Sequence, residues 1–121
     1  MNLSGNLFTT FPEVLFCLTN LSSLSLNNNN ISSIPKQITQ LKGNSFFQKK
    51  IKFGIHFHVG LTYLSLTNNN IQNMDVLCTI PTLTSIYLSN NHLQNISHRI
   101  GQLENLKTFS VPSNYLSGVP F

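Results

Sequence analysis

The chain has 121 residues, of which 40% are hydrophobic and 8% are charged, and its formal net charge is +4. Hydrophobic residues at this level exclude a fully disordered chain, and the length suits one domain of modest size. Three of the seven basic residues, Lys49, Lys50 and Lys52, lie in one short segment. Because the rest of the chain is close to neutral, we expect no nucleic-acid partner, which would call for a basic stripe.

The cysteines and the hydrophobic runs exclude other classes of protein. Cys17 and Cys78 form no CxxC pair, so we interpret both as small buried hydrophobes, not as metal ligands or a disulfide framework. The chain has neither a secretory-type leader nor an apolar run of about 18 residues. We therefore expect a cytoplasmic protein that is not associated with a membrane.

The predicted elements recur along the chain with a common pattern. Each copy that includes a strand opens with LxxLxL or a close variant, and this alternation predicts a short strand with one buried face. Because the copies follow one another, their strands are expected to lie side by side in a parallel sheet. A partial copy starts at Leu3, and the later copies start at Leu21, Leu61, Leu83 and Leu106.

One asparagine recurs in phase just after the strand position of every copy. Its amide can bond backbone groups of its own and neighbouring copies, which the bend would otherwise leave unpaired. We therefore predict a structural asparagine ladder, formed by Asn6, Asn29, Asn69, Asn91 and Asn114.

Prolines and a change of periodicity mark the segments that return to the next strand. Pro12, Pro35 and Pro120 follow the last apolar position of their copies, where a fixed φ of about −65° ends the strand. The apolar spacing then changes to i, i+3, which predicts a helical or 3₁₀ turn. The pairs with this spacing are Ile38 with Leu41 and Ile100 with Leu103.

The combined pattern, LxxLxLxxNxLxxIPxxIxxLxx, resembles the leucine-rich repeat family over nearly the whole chain. The resemblance implies an α/β solenoid of about five repeats, wound as a right-handed superhelix. A curved parallel β-sheet would form its concave side, and 3₁₀ or short helical turns its convex side. The 23-residue length with IPxxIxxL is similar to the intracellular class of Ras-associated scaffold proteins.

The repeat boundaries follow from this pattern. We expect a partial repeat at 1–20, a repeat at 21–60 that contains an insert at 44–60, repeats at 61–82 and 83–105, and a partial repeat at 106–121. Both ends of the chain fall inside a repeat. We therefore expect a piece of a longer solenoid or an incomplete gene model.

The insert explains one irregular interval. Asn29 and Asn69 are 40 residues apart, and removal of Asn44–Gly60 restores the usual spacing of 23. Three interpretations stay open: a loop extruded on the convex side, a strand with a basic face that docks a partner or a membrane surface, and a translated intron with AT-rich codons. His56 and His58 could share a metal ion in such a strand, but no further ligand lies nearby in sequence, so we expect no metal site.

The outward-facing strand positions form the candidate binding site. They are neutral and carry hydroxyl, amide and phenol groups, which suit a protein surface better than phosphate. Tyr63 and Tyr87 are the expected anchors, because tyrosine combines contact area with a hydrogen-bonding tip. The predicted partner-binding residues are Ser23, Ser25, Asn27, Tyr63, Ser65, Thr67, Ser85, Tyr87, Ser89, Thr108 and Ser110.

The sequence predicts a binding module and not an enzyme. It contains no nucleophile, phosphate-binding or dinucleotide motif, and the register puts Glu13, Asp75 and Glu104 on return segments, so we expect neither catalysis nor a cofactor. The resemblance implies a scaffold that binds a protein partner through its concave face in intracellular signalling. The alternative is the regulatory arm of a larger signalling enzyme, such as a kinase, phosphatase or cyclase.

Overall fold

The computed structural model describes residues 1–41 and 60–117, and within these ranges short strands alternate with 3₁₀ helices along the chain. The strands are β1 (Ser23–Ser25), β2 (Tyr63–Ser65), β3 (Ser85–Tyr87) and β4 (Thr108–Ser110). The 3₁₀ helices are η1 (Glu13–Cys17), η2 (Lys36–Leu41), η3 (Asp75–Thr79) and η4 (His98–Gln102).

The strands form one parallel sheet in the order β1-β2-β3-β4, so every repeat pairs with the next along the chain. The register aligns the central apolar residue of each strand, pairing Leu24 with Leu64, Leu64 with Ile86 and Ile86 with Phe109. A parallel bridge between Asn2 and Ser25 adds the first copy to the edge of β1. The predicted solenoid with a parallel sheet on one side is confirmed.

The core lies between the sheet and the 3₁₀ helices. In the copies that start at Leu21, Leu61 and Leu83, the inward residues of the LxL motifs have no solvent-accessible surface, as the alternation predicts. The apolar residues that follow the ladder asparagines of these copies are equally buried and close the core at the bend. These two groups are Leu24, Leu26, Leu64, Leu66, Ile86 and Leu88 in the LxL motifs, and Ile31, Ile71 and Leu93 after them. The corresponding residues of the last copy, Phe109, Val111 and Leu116, are half-buried.

The 3₁₀ helices start where the return segments were predicted to turn. Pro12, with φ of −60°, precedes η1, and Pro35 precedes η2. Ile38 and Leu41 point one edge of η2 into the core. Three residues per turn bring positions i and i+3 to one side, which explains why both of these residues are buried. Pro120 lies outside the described residues.

The two cysteines have different environments. Cys78 is buried, and desolvation raises the pKa of its thiol. Cys17 is exposed, so the prediction that both are buried is wrong for this residue. The reason is geometric: η1 directs Leu15 and Phe16 into the core, and the next position faces solvent.

The described residues on either side of the insert meet directly. The backbone N–H of Leu61 donates to the carbonyl oxygen of Leu41 over 2.6 Å. In the other repeats, the equivalent backbone N–H···O bond joins residues that are three apart in sequence. Leu21 donates to Leu18 (2.9 Å), Leu83 to Ile80 (3.2 Å) and Leu106 to Leu103 (3.2 Å). The chain therefore resumes at Leu61 in the register in which it reached Leu41. The predicted insert itself, including His56 and His58, lies outside the described residues except for Gly60.

Candidate functional site

The bend after each strand is held by the side chain of one asparagine. The amide nitrogen of Asn69 donates to the carbonyl of Leu66 in its own coil (3.1 Å) and to that of Leu26 in the preceding coil (2.9 Å). Its amide oxygen accepts from the backbone N–H of Ile31 at 3.0 Å. Each such side chain thus joins two coils. Equivalent bonds are made by Asn29, Asn91 and Asn114.

The five ladder asparagines differ in burial. Asn29, Asn69 and Asn91 are 6%, 5% and 2% exposed, and Asn114 is half-buried. Asn6 is exposed, and within the described residues its amide bonds only the carbonyls of Leu3 and Ser4 in its own coil. The central members are therefore the ones whose bonds are shielded from water.

The residue before each inner ladder asparagine has a left-handed backbone, a feature that the repeat pattern did not predict. The φ angles are 57° at Asn28, 58° at Asn68, 53° at Asn90 and 60° at Ser113. Asparagine tolerates this conformation better than most residues. The sequence carries a signal for this conformation, because three of these positions form an Asn-Asn pair with the ladder residue.

Most of the predicted partner-binding residues are at least partly accessible. The exposed members project from the strands, and the half-buried members lie between them or just beyond the strand ends. Ser23, Tyr63 and Thr108 are exposed, whereas Ser25, Asn27, Thr67, Ser85, Tyr87, Ser89 and Ser110 are half-buried.

Ser65 differs from the other members of the set. It is 3% exposed, and its hydroxyl donates to the amide oxygen of Asn27 at 2.7 Å. The same oxygen accepts from the backbone N–H of Thr67 at 2.8 Å. Ser65 is therefore a structural residue that orients Asn27, and its burial contradicts its assignment as a direct partner contact.

The hydroxyl groups of the face also bond one another. The Oγ atoms of Ser4 and Ser25 are 2.8 Å apart, and those of Ser89 and Ser110 are 3.3 Å apart. These bonds link neighbouring coils across the sheet. They add side-chain links to the backbone pairing of the sheet.

Two aromatic rings lie side by side in the middle of this face. The register pairs Tyr63 with Ser85 and Ser65 with Tyr87, so the tyrosines are diagonal neighbours on adjacent strands. Their ring centroids are 5.4 Å apart with an interplanar angle of 44°. Diagonal neighbours on a sheet are within reach of aromatic side chains. The pair forms a broad apolar surface with two phenol groups.

Strands β1 to β4 carry no charged residue, so the face that they form is itself uncharged. Glu13 and Asp75 begin η1 and η3, and Glu104 is exposed after η4.

Within residues 1–41 and 60–117, no three His, Cys, Asp or Glu side chains lie close enough together to hold a metal ion. None of the helices in these ranges is long and apolar enough to cross a membrane.

Comparison with known proteins supports the repeat pattern read from the sequence. The leucine-rich repeat family model matches residues 20–41 and 82–103. A leucine-rich repeat and calponin homology domain-containing protein of Drosophila melanogaster is 32% identical over 98% of this chain. An adenylate cyclase of Schizosaccharomyces pombe is 29% identical over 97% of it. The chain spans only 16% and 8% of the lengths of these two relatives.

Solved structures share the same architecture. A leucine-rich repeat protein of Leptospira interrogans superposes on 97% of this chain with a TM-score of 0.77 and 30% identity, and 26% of that protein is covered. An internalin of Listeria monocytogenes superposes on 86% with a TM-score of 0.63 and 21% identity, and 25% of it is covered. The in-phase repeat, the family match and this shared architecture together show that the chain belongs to the leucine-rich repeat family.

Proposed function

We propose that the concave face of the sheet binds a protein partner and that the chain acts as an interaction module or scaffold in signalling. The observation that carries this proposal is the Tyr63–Tyr87 pair, whose rings lie 5.4 Å apart at the centre of a neutral face. Tyrosine is enriched among the few residues that dominate protein interfaces. Tyr63 is 37% exposed and so is accessible to a partner.

The surroundings of the tyrosines suit a protein interface. Hydroxyl-bearing residues border the pair on both sides, with Ser23 exposed on β1 and Thr108 exposed on β4. An apolar centre with a polar rim is the usual layout of such interfaces. The inter-coil hydrogen bonds described above fix the face in advance, which lowers the entropy cost of binding.

The proposed contact set is the predicted one without Ser65. The fly relative also supports a binding role, because its name joins leucine-rich repeats to a second kind of domain within one longer protein. The concave face itself does not specify a class of partner. Its lack of charge argues against phosphate-rich partners, which are held by lysine and arginine.

The experiment compares tyrosines on two sides of the molecule. Partners are recovered from cell lysate with the immobilised chain, identified by mass spectrometry and then measured as purified proteins. We expect the Tyr63→Ser, Tyr87→Ser double variant to lose affinity by about 30-fold or more, as removal of central interface residues does. Tyr115→Ser is the matched control, since Tyr115 is exposed but does not belong to the strand face. Equal binding by the double variant and wild type would overturn the proposal.

A second candidate function is the regulatory arm of a larger signalling enzyme. The observation that favours it is the similarity to an adenylate cyclase, which extends over 97% of this chain but only 8% of the cyclase. In this case the repeats would still act by binding, and catalysis would reside in another part of the longer protein. Sequencing the full transcript tests it: an open reading frame that encodes a catalytic domain supports it, and a transcript ending with this chain contradicts it.

The cytoplasmic location expected from the sequence belongs to both proposals, because signalling scaffolds of the resembled class are intracellular. Imaging of the tagged full-length protein in its own cells tests this expectation. Diffuse or cytoskeletal cytoplasmic signal would agree with it, and signal only at the cell exterior would contradict it.

A further inference from the structure

A second surface lies on the flank of the solenoid, just beyond the ladder asparagines. In two repeats, a pair of amide residues follows the buried apolar residue that comes after the ladder asparagine. The pairs are Gln72-Asn73 in one repeat and Gln94-Asn95 in the next. All four side chains are exposed, while Ile71 and Leu93 before them are buried. Neighbouring coils therefore present the same two amides at the same register. The equivalent positions of the earlier repeat are Ser32 and Ser33, so the amide array is confined to two coils.

These amides line a depression that we name the amide groove. Its volume is about 470 Å³, and its lining residues are Gln72, Asn73, His92, Gln94, Asn95 and Tyr115. A second depression of about 540 Å³ shares Gln72, Asn73 and Asn95 with it and continues the groove toward η3 and η4. Both depressions are open to solvent, and polar side chains make up most of their lining.

One end of the amide groove is formed by two aromatic rings. His92 and Tyr115 follow the ladder asparagines of adjacent coils, and their ring centroids lie 5.6 Å apart with an interplanar angle of 48°. Tyr115 is 67% exposed. The neighbouring Leu116 packs against the core, so of these two residues Tyr115 is the one that faces solvent.

The hydrogen-bonding capacity of the groove is largely free. Asn73 uses its amide oxygen to accept from the backbone N–H of Asp75 at 2.7 Å, which leaves its amide nitrogen available. Among the described residues, no internal hydrogen bond engages the side chains of Gln72, Gln94 or Asn95. Each free amide offers two donors and an acceptor with two lone pairs.

The charge of the groove narrows the choice of ligand. Its amide part has no Lys, Arg, Asp or Glu, and in the continuation Asp75 and Arg99 offset each other. Anionic ligands are held by charge-assisted bonds from several cations, so the groove does not suit a phosphate or a sulfate. A neutral ligand with many groups that both donate and accept is the better match.

The geometry points to a neutral oligosaccharide as the ligand of the amide groove. A sugar hydroxyl donates its O–H and accepts through the same oxygen, which matches the NH₂ and carbonyl groups of Gln72, Asn73, Gln94 and Asn95. The C–H face of a pyranose ring can pack on the rings of His92 and Tyr115, as apolar groups do on aromatic faces. The groove and the concave face lie at different positions of the repeat, so this binding is independent of the tyrosine pair on the sheet.

Side-chain amide signals in nuclear magnetic resonance test the assignment directly. The ¹⁵N-labelled full chain is titrated into the millimolar range with cellotriose, chitotriose and mannotriose, and the NH₂ signals of Gln72, Asn73, Gln94 and Asn95 are followed. We expect saturating shifts with at least one of the three sugars. Tyr115→Ala should weaken that binding roughly two- to tenfold, and Gln94→Ala with Asn95→Ala should abolish the saturation.

Two control variants test whether the sugar binds in the amide groove and not elsewhere on the chain. Ser32→Ala with Ser33→Ala changes the same register in a coil outside the groove, and Gln37→Ala removes an exposed amide on η2, so both should bind the sugar like wild type. The inference is overturned if none of the three sugars shifts the amide signals, or if Tyr115→Ala binds as tightly as wild type. Shifts caused by a Gly-Ser peptide and not by the sugars would also overturn it.

Discussion

At the scale of single residues, the ladder asparagines show how one side chain can hold two coils together. The amide of Asn69 supplies donors to two carbonyls and accepts from one N–H, and all these groups are shielded from water. Buried backbone groups must find partners within the protein. A side chain that satisfies three of them at once therefore stabilises the bend well beyond a single hydrogen bond.

Substitution of a central ladder residue should destabilise the fold. Asn69→Ala leaves the N–H of Ile31 without its partner and removes one of the two side-chain bonds to each of the carbonyls of Leu26 and Leu66, which keep their bonds from Asn29 and Asn91. A buried group left unpaired costs about 1–3 kcal/mol, and a lost hydrogen bond about 0.5–1.5 kcal/mol. We expect the free energy of unfolding, measured by urea denaturation, to fall by roughly 2–4 kcal/mol. Asn6→Ala is the matched control; its side chain is exposed, so the expected change is within about 0.5 kcal/mol. Equal effects of the two substitutions would contradict the role of the ladder.

The two cysteines give a second test at this scale. Burial raises the pKa of the Cys78 thiol, so less of it is present as the reactive thiolate at a given pH, and the core also blocks access. Alkylation of the native chain by iodoacetamide at mildly alkaline pH, followed by mass spectrometry, should modify Cys17 first and Cys78 only slowly. In denaturant both should react at similar rates. Faster reaction of Cys78 in the native chain would show that the return segment around η3 is not packed as described.

At the scale of elements, the junction between η2 and β2 keeps the repeat in phase. Leu61 bonds the carbonyl of Leu41 in the same way that Leu106 bonds that of Leu103, although 19 residues separate the first pair and two the second. A solenoid tolerates such additions because each coil contacts only its neighbours. The sheet and the asparagine ladder continue across this junction with ordinary bond lengths.

Removal of the insert should therefore leave the fold intact. Deletion of Asn44–Gly60 leaves Lys42-Gly43 between the two leucines, as Glu104-Asn105 stands between Leu103 and Leu106. Because a shorter connection costs less entropy to close, we expect the free energy of unfolding to stay equal or rise by up to about 2 kcal/mol.

The control for this deletion removes one residue more. Loss of residues 44–61 puts Thr62 where Leu61 was buried and shifts β2 by one position, which turns its inner face outward. We expect a clearly lower unfolding midpoint for this variant. If both deletions destabilised the chain equally, the proposed boundaries of the insert would be wrong.

At the scale of the whole molecule, the features that recur in every repeat could be predicted from the sequence, and the environments of individual side chains that depart from the repeat could not. The buried leucines and the 3₁₀ turns recur at fixed positions, so their pattern is visible in one dimension. The burial of Ser65 depends on a bond to Asn27 of another coil, and the exposure of Cys17 on how η1 rotates. The pairing of His92 with Tyr115 joins residues that no local pattern connects.

The same distinction applies to function. A repeat pattern predicts a concave face, because parallel strands must lie side by side, and it names the side chains that project from it. Which of those side chains remain free is decided by hydrogen bonds between coils, and these removed one predicted contact. The aromatic pair of Tyr63 and Tyr87 remains in the set of proposed contacts and is the feature on which the binding proposal rests.

The most direct measurement is site-specific photocrosslinking of the folded chain to its partner. A photoreactive phenylalanine analogue is placed at Tyr63 on the concave face or at Gln37, which is exposed on η2 of the opposite side. We expect a crosslinked adduct with the partner from position 63 and none from position 37. An adduct formed from position 37 and absent from position 63 would contradict binding through the concave face.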